Sequence, residues 1–278
     1  MADDVDARSP GHRIDIPGGV VPEESLRGCR ALVTGSSGGI GRHIALGLAS
    51  LGVDVAFNYR THPDAAAEAV RVAESMGVRA LALPADCADR EQVRRLVEQA
   101  AGRLGGLEIL VNNVGEFAYK RLRAHEPDEF DRIIAGTVGT TFHATIAALP
   151  YMRSAGFGRV VNIGAAGAEV AIGGRREGPH LAGKAGVLSL TRSFAIEEAR
   201  HGVTFNAVCP GVVEDRDLTR QEALGHMDRG NPVGRPGTSA DVVDAVLFLC
   251  RRESSFINGA VIAVTGGWQG YLGPVAHG

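Results

Sequence analysis

Residues 29–60 read CRALVTGSSGGIGRHIALGLASLGVDVAFNYR, and this stretch decides the fold. A short apolar run, 29–34, stops at a glycine cluster. Apolar positions at helical spacing follow, and a second apolar run spans 53–58. The glycines Gly35, Gly39 and Gly41 stand directly after the first strand and at the start of the helix. A pyrophosphate needs close backbone approach, free N–H groups and the positive end of a helix, and this order supplies all three. A glycine pattern alone also suits a plain tight turn; the strand, loop, helix and second strand around it favour the phosphate reading.

The same alternation continues outward. Strand-length apolar runs recur at 80–84, 109–112, 159–163, 204–208 and 260–264. Helical spacing covers 40–50, 63–76, 89–103, 127–153, 179–201 and 239–251. Strand alternating with helix at this spacing predicts an α/β fold, a doubly wound seven-stranded parallel sheet between two helical layers. No linker separates the elements, so one domain is expected over 28–270, after a polar arm at 1–27 and before a tail at 271–278.

Composition narrows the function classes. The 278 residues are 45% hydrophobic and 22% charged, which suits a globular enzyme-sized chain and not a disordered one. A formal charge of −3 leaves no electrostatic footprint for nucleic acid. No uninterrupted apolar run reaches the roughly 20 residues of a membrane helix, so no membrane partner is expected. The first residues lack the basic-then-apolar order of a secretion signal, and Cys29, Cys87, Cys209 and Cys250 lie far apart without a CxxC pair. They read as reduced thiols in a cytoplasmic protein, with no metal site. Of 29 basic residues only Lys120 and Lys184 are lysines, a bias that points to a GC-rich, bacterial coding sequence.

The end of the second strand bears on coenzyme choice. An acidic residue there would bind the ribose 2′-hydroxyl and repel a 2′-phosphate. This chain has Asn58, Tyr59 and Arg60 instead, and an arginine pairs well with phosphate. NADP(H) is therefore favoured over NAD(H), unless Arg60 is only a solvated loop charge.

At this point the chain resembles the short-chain dehydrogenase/reductase family, on TGSSGGIG (34–41), AD (85–86), NNVG (112–115), HLAGK (180–184), VCPG (208–211) and GRPG followed by NGAVIAVTGGW (258–268). The resemblance runs from about residue 28 to 270. It implies a Rossmann sheet, a homotetramer or homodimer, and a small-molecule substrate. It also implies that Gly35, Ser37, Gly39, Ile40 and Gly41 cradle the coenzyme, with Tyr59 and Arg60 at the adenosine ribose and Asp86 and Cys87 by the adenine. Asn113 and Gly115 would line the cleft, Lys184 would reach the nicotinamide ribose, and the backbone near Val213 would meet the carboxamide. A hydroxyl residue commonly follows that Pro-Gly, and Asp215 occupies its place.

The catalytic centre departs from the family pattern. The tyrosine position reads His180, the serine position Ala165 and the asparagine position Thr137; only Lys184 survives. A positioned general acid is worth about 10²–10⁴ in rate, and an oxyanion donor about 10²–10³. An unmodified mechanism would therefore be slow. His180 and Lys184, four apart behind Pro179, share a helix face, and an imidazole near pKa 6.5 serves as acid or base at neutral pH. A neighbouring ammonium and the positive helix end would favour its neutral form. Tyr119 is a second candidate proton donor, or else an exposed loop aromatic; Glu116 and Lys120 lie beside it.

The segment 212–231 resembles the family's substrate lid and reads equally as a solvated helix. Three readings stay open. One is an NADP(H)-dependent oxidoreductase acting on a carbonyl, imine or activated alkene, with a polycyclic substrate plausible on electronic grounds. The others are a redox-neutral cyclase, isomerase or dehydratase, and a non-catalytic NADP-binding protein.

Overall fold

The computed structural model describes residues 23–213, 217–228 and 230–268. Its seven strands are β1 (Arg30–Val33), β2 (Asp54–Tyr59), β3 (Ala80–Pro84), β4 (Ile109–Asn112), β5 (Gly158–Ile163), β6 (Val203–Pro210) and β7 (Val261–Val264). They pair in the order β3-β2-β1-β4-β5-β6-β7, every ladder parallel. The eight α-helices are α1 (Gly39–Ser50), α2 (Pro63–Ser75), α3 (Arg90–Leu104), α4 (Pro127–Ile134), α5 (Thr140–Ala155), α6 (Gly178–Glu198), α7 (Arg220–Leu224) and α8 (Ser239–Cys250). The expected doubly wound architecture is present, with α7 a short addition inside 212–231.

Side chains alternate across the sheet, as a strand's period of two requires. Ala31 and Val33 face one side with Ile44, Leu48, Val246 and Leu249. Leu32 faces the other with Leu96, Leu104, Met152 and Phe205, and Phe205 stacks on Phe194 at 5.2 Å. Strands buried on both faces read as continuous apolar runs, which is why they were visible in the sequence. Truncating one of these large side chains costs about 2–5 kcal/mol.

Three features differ from the expectation. Residues 23–26 form a 3-10 turn that buries Leu26 in the core, and Ser25 donates to Glu253 at 2.7 Å. Order therefore begins before residue 28; the remainder of the expected arm and the tail lie outside the described residues. The helix expected over 127–153 is divided by a π turn, Ala135–Gly139, between α4 and α5. Thr140 and Thr141 hydroxyls bond back to the Gly136 and Thr137 carbonyls, at 3.1 and 3.0 Å, the kind of interference that distorts a helical ladder. The whole run Pro127–Ala155 is also long and apolar enough, on average, to match a membrane span. Half of its apolar window is buried, and α5 supplies Ala144, Ala148 and Met152 to the core, so it serves as a layer helix.

The chain reverses winding direction between β1 and β4. The connections leaving the carboxyl ends of these two paired strands run to opposite sides, which opens the crevice in which sheets of this class bind ligands.

Candidate active site

A cleft of about 640 Å³ occupies that crevice, a volume in the range of small-molecule and cofactor sites. One wall is the β1–α1 loop. Gly35 and Gly39 have φ of +60° and +55°, a region that glycine enters without penalty. Ser36 Oγ donates to the Val33 carbonyl at 2.7 Å and accepts the Asn58 N–H at 3.0 Å. The Gly35 N–H donates to Asn58 Oδ1 at 2.9 Å. Helices α3 and α8 are capped by the side chains of Asp89 and Thr238, but the Gly38 N-cap of α1 offers none, and no acid lies in its first turn. The first N–H groups of α1 thus have no side-chain acceptor, and they end on the cleft where Gly38, Gly39 and Ile40 line it. A Cβ on Gly38 would touch nothing, whereas one on Gly41 would stand 2.5 Å from Asn113 Nδ2. Gly38 leaves room for a ligand; Gly41 sits beneath it and permits close packing.

At the outer end, β2 finishes in Tyr59 and runs on through Arg60, Thr61 and His62, all lining the cleft. No carboxylate sits at the strand's end. The Arg60 guanidinium, 56% exposed, lies 3.7 Å from Asp86 and 3.4 Å from Glu116. Asp86 also accepts the Ala88 N–H at 3.0 Å. Cys87 donates its thiol to Asn58 Oδ1 at 3.1 Å, and burial pushes that thiol up to about 12, leaving it inert.

At the inner end, Lys184 is buried, and Nζ donates to the Ile163 carbonyl at 2.6 Å. Burial lowers its pKa to about 8. Gly115 makes room for it, since a Cβ there would come within 2.9 Å of Nζ. His180, one turn earlier on α6, holds its Nδ1 at 2.8 Å from the Glu116 carbonyl, with the Phe117 ring edge-on at 5.1 Å. Burial first, and Lys184 next, lower the His180 pKa below 6.5, against the bond to Glu116, which raises it. Ala165 lines this end and carries no hydroxyl. Thr137, in the π turn, accepts the Glu116 N–H at 3.3 Å.

Residues 35–269 match the family described as enoyl-(acyl carrier protein) reductase. The 3-oxoacyl-[acyl-carrier-protein] reductase FabG of Staphylococcus aureus is 35% identical over 239 residues, covering 85% of this chain and 96% of that protein. D-beta-hydroxybutyrate dehydrogenase of Rhizobium meliloti is 31% identical over 253 residues, 86% of this chain and 97% of its own. A crystal structure assigned as a short-chain alcohol dehydrogenase from Sinorhizobium meliloti superposes with a TM-score of 0.80 at 33% identity, covering 91% of this chain and all of that one. The chain is a short-chain dehydrogenase/reductase. Its relatives are oxidoreductases, and it is an enzyme of that family.

Within this short-chain dehydrogenase/reductase the cleft gathers most of the residues singled out in the sequence. Gly35, Ser37, Gly39 and Ile40 line the phosphate end, Tyr59, Arg60, Asp86 and Cys87 the outer end. Asn113, Gly115, His180 and Lys184 line the inner end. Three are not brought to the cleft surface. Gly41 packs below it. Val213 lines a small neighbouring pocket with Asn231 and Thr238, while Pro210 and Gly211 reach the cleft in its stead; Asp215 lies outside the described residues. Tyr119 is 62% exposed beneath the Arg176 guanidinium. Lys120 bonds the Arg176 carbonyl through its N–H and Glu129 through Nζ, which turns the loop outward.

Within 212–231, Arg220 of α7 is tied to Asp244 at 2.7 Å, so this turn is anchored on α8. Asn58 was not foreseen as a site residue, although a polar side chain inside an apolar strand had to find buried partners. Glu116, which follows NNVG directly in the sequence, lines the cleft with its carboxylate held by Arg60 at 3.4 Å and by Arg132 at 3.6 Å.

Proposed function

We propose that the chain is an NADP(H)-dependent oxidoreductase that acts on a small molecule through a centre built from Lys184 and His180. The observation that carries this reading is the single cleft that runs from the bare start of α1 to the buried Lys184. Its outer end offers a guanidinium, a hydroxyl and an imidazole where an NAD-preferring site would offer a carboxylate. The donor set therefore fits a dinucleotide carrying an extra phosphate.

In this reading the N–H groups of Gly39 and Ile40 bind the pyrophosphate, with Asn58 holding the loop in shape through Gly35. Arg60 and Thr61 take the 2′-phosphate, and Asp86 lies by the adenine. Gly115 keeps the wall low enough for Lys184 to reach a ribose. When bound, the coenzyme supplies or accepts a hydride at its nicotinamide ring. His180 replaces a phenol as the proton-exchanging group, and Ala165 leaves the substrate oxygen without a hydroxyl donor. Substrates that tolerate this are polarised ones: activated carbonyls, iminium-like carbons or conjugated systems, and the corresponding reduced compounds.

Titrating the protein with NADPH and with NADH, followed by coenzyme fluorescence, tests the reading. Tighter binding of NADPH is expected; binding of neither would overturn it. A panel of diketones, quinones and cyclic imines, followed through NADPH absorbance, then identifies the substrate class. Apolar exposed residues on α5 and α6, Phe142, Ile146 and Ile196, support assembly as a dimer or tetramer. The four buried free thiols are in keeping with a reducing, cytoplasmic setting.

A further inference from the structure

The main-chain carbonyl that faces His180 can only accept a hydrogen bond. The 2.8 Å contact between Nδ1 and the Glu116 oxygen therefore places a proton on Nδ1. In the neutral ring Nε2 then carries the lone pair, and among the described residues no protein group bonds it. The Phe117 ring packs at 5.1 Å and 84° to the imidazole.

The Glu116 peptide is itself held from several directions. Its N–H donates to Thr137 Oγ1 at 3.3 Å. Its carboxylate lies between Arg60 at 3.4 Å and Arg132 at 3.6 Å. Its Cγ fills the space over Gly136, where a Cβ would stand 2.5 Å away. Thr137 is fully buried in the π turn and packs on α6, so closely that a Cβ on Gly183 would meet it at 3.1 Å. The turn that interrupts the long helix thus touches both the helix bearing His180 and the peptide that orients its ring.

We infer that His180 exchanges its proton through Nε2, and that Thr137 and Glu116 are the positioning residues that fix its tautomer. The inference rests on the coenzyme reading of the cleft. In the oxidative direction, the substrate O–H bond breaks and its proton passes to Nε2. The C–H bond breaks with its electron pair, which leaves for the oxidised nicotinamide coenzyme, and a C=O bond forms. The alcohol loses two electrons and the coenzyme gains them; solvent later takes the proton from Nε2.

The charged groups around the ring are Lys184 on its own helix and Glu116 on the loop after β4. Beyond Glu116 stand Arg60 from the end of β2 and Arg132 from α4. Burial, with Lys184, lowers the His180 pKa against the bond to Glu116, which favours the neutral ring with its lone pair on Nε2.

The test is nitrogen NMR of protein labelled with ¹⁵N-histidine, with His180→Phe identifying the His180 signals. At pH 7 the expected state is neutral with the proton on Nδ1, titrating below pH 6.5. Thr137→Val removes only the acceptor for the Glu116 N–H and should shift His180 to a mixture of tautomers; Thr137→Ser keeps the hydroxyl and should restore the wild-type signature. An imidazolium, or a proton on Nε2, in the wild-type protein at pH 7 overturns the inference, as does a His180 signal that ignores Thr137→Val. NADP⁺ titrations of the same samples separate the two failures. Binding with the wrong tautomer removes this inference alone, whereas no binding removes the coenzyme reading as well.

Discussion

Replacing Arg60 with alanine separates phosphate recognition from the rest of the coenzyme site. Its guanidinium is the one strong cation at the end of β2, half exposed and shared between Asp86 at 3.7 Å and Glu116 at 3.4 Å. A hydrogen bond to a charged group contributes about 1.5–3 kcal/mol. Solvent screening lowers that value for an exposed side chain, and releasing two carboxylates offsets part of what remains. About 1.4 kcal/mol is left, which is roughly a tenfold change in Kd. NADPH binding to Arg60→Ala should therefore weaken about tenfold, while NADH, which has no 2′-phosphate, should change little. The gap should narrow as salt rises, because exposed charges are screened over about 8 Å at physiological ionic strength. Arg60→Asp should go further and invert the preference, since a carboxylate bonds the ribose hydroxyls and repels phosphate. Fluorescence titration of both reduced coenzymes at low and high salt measures all of this. Equal weakening of NADPH and NADH, or no change in either, would refute the reasoning.

Three further substitutions probe the frame of the site. Gly41→Ala would place a Cβ 2.5 Å from Asn113 Nδ2 and 2.6 Å from the Gly35 carbonyl; overpacking of this kind costs about 1–3 kcal/mol, so a lower Tm and weaker coenzyme binding are expected together. Asn58→Leu removes the acceptor for the Gly35 N–H and the donor to the Ala85 carbonyl at 3.2 Å. Each buried group left unpaired costs about 1–3 kcal/mol, and thermal unfolding should show the loss even without ligand. Lys184→Met should stabilise the fold at pH 7 while weakening coenzyme binding. Folded Lys184 titrates at about 8 against 10.5 in the open chain, so holding it charged below pH 8 opposes folding, by up to about 3 kcal/mol. That penalty is relieved as pH rises from 8 to 10.5, because over this window the unfolded chain binds the extra proton. The advantage of the methionine variant in Tm should shrink over the same window; an advantage that stays constant would contradict the buried-ammonium account.

Much of this protein is legible in its sequence because local rules and the fold agree. Gly35 and Gly39 take a left-handed backbone and Gly41 leaves no room for a Cβ, and the central strands are largely apolar because both their faces are covered. Tyr59 and Arg60 could be placed on the cleft from sequence, because the end of β2 faces it in any sheet of this topology. What stayed hidden depends on distant contacts. The π turn at Ala135–Gly139 arises from back-bonding by Thr140 and Thr141 inside an otherwise helical pattern. The outward position of Tyr119 follows from a main-chain bond between Lys120 and Arg176, far apart in sequence. The partner of the His180 ring is a carbonyl 64 residues away, and no spacing rule reaches that far.

A crystal structure of the protein with NADP⁺ tests the central claim most directly. Phosphate oxygens are expected on the N–H groups at the start of α1 and the 2′-phosphate on Arg60. The nicotinamide is expected beside Lys184, with its C4 no farther than one bridging water from His180 Nε2. A coenzyme found outside this cleft, or bound in it with the nicotinamide turned away from His180, would contradict it.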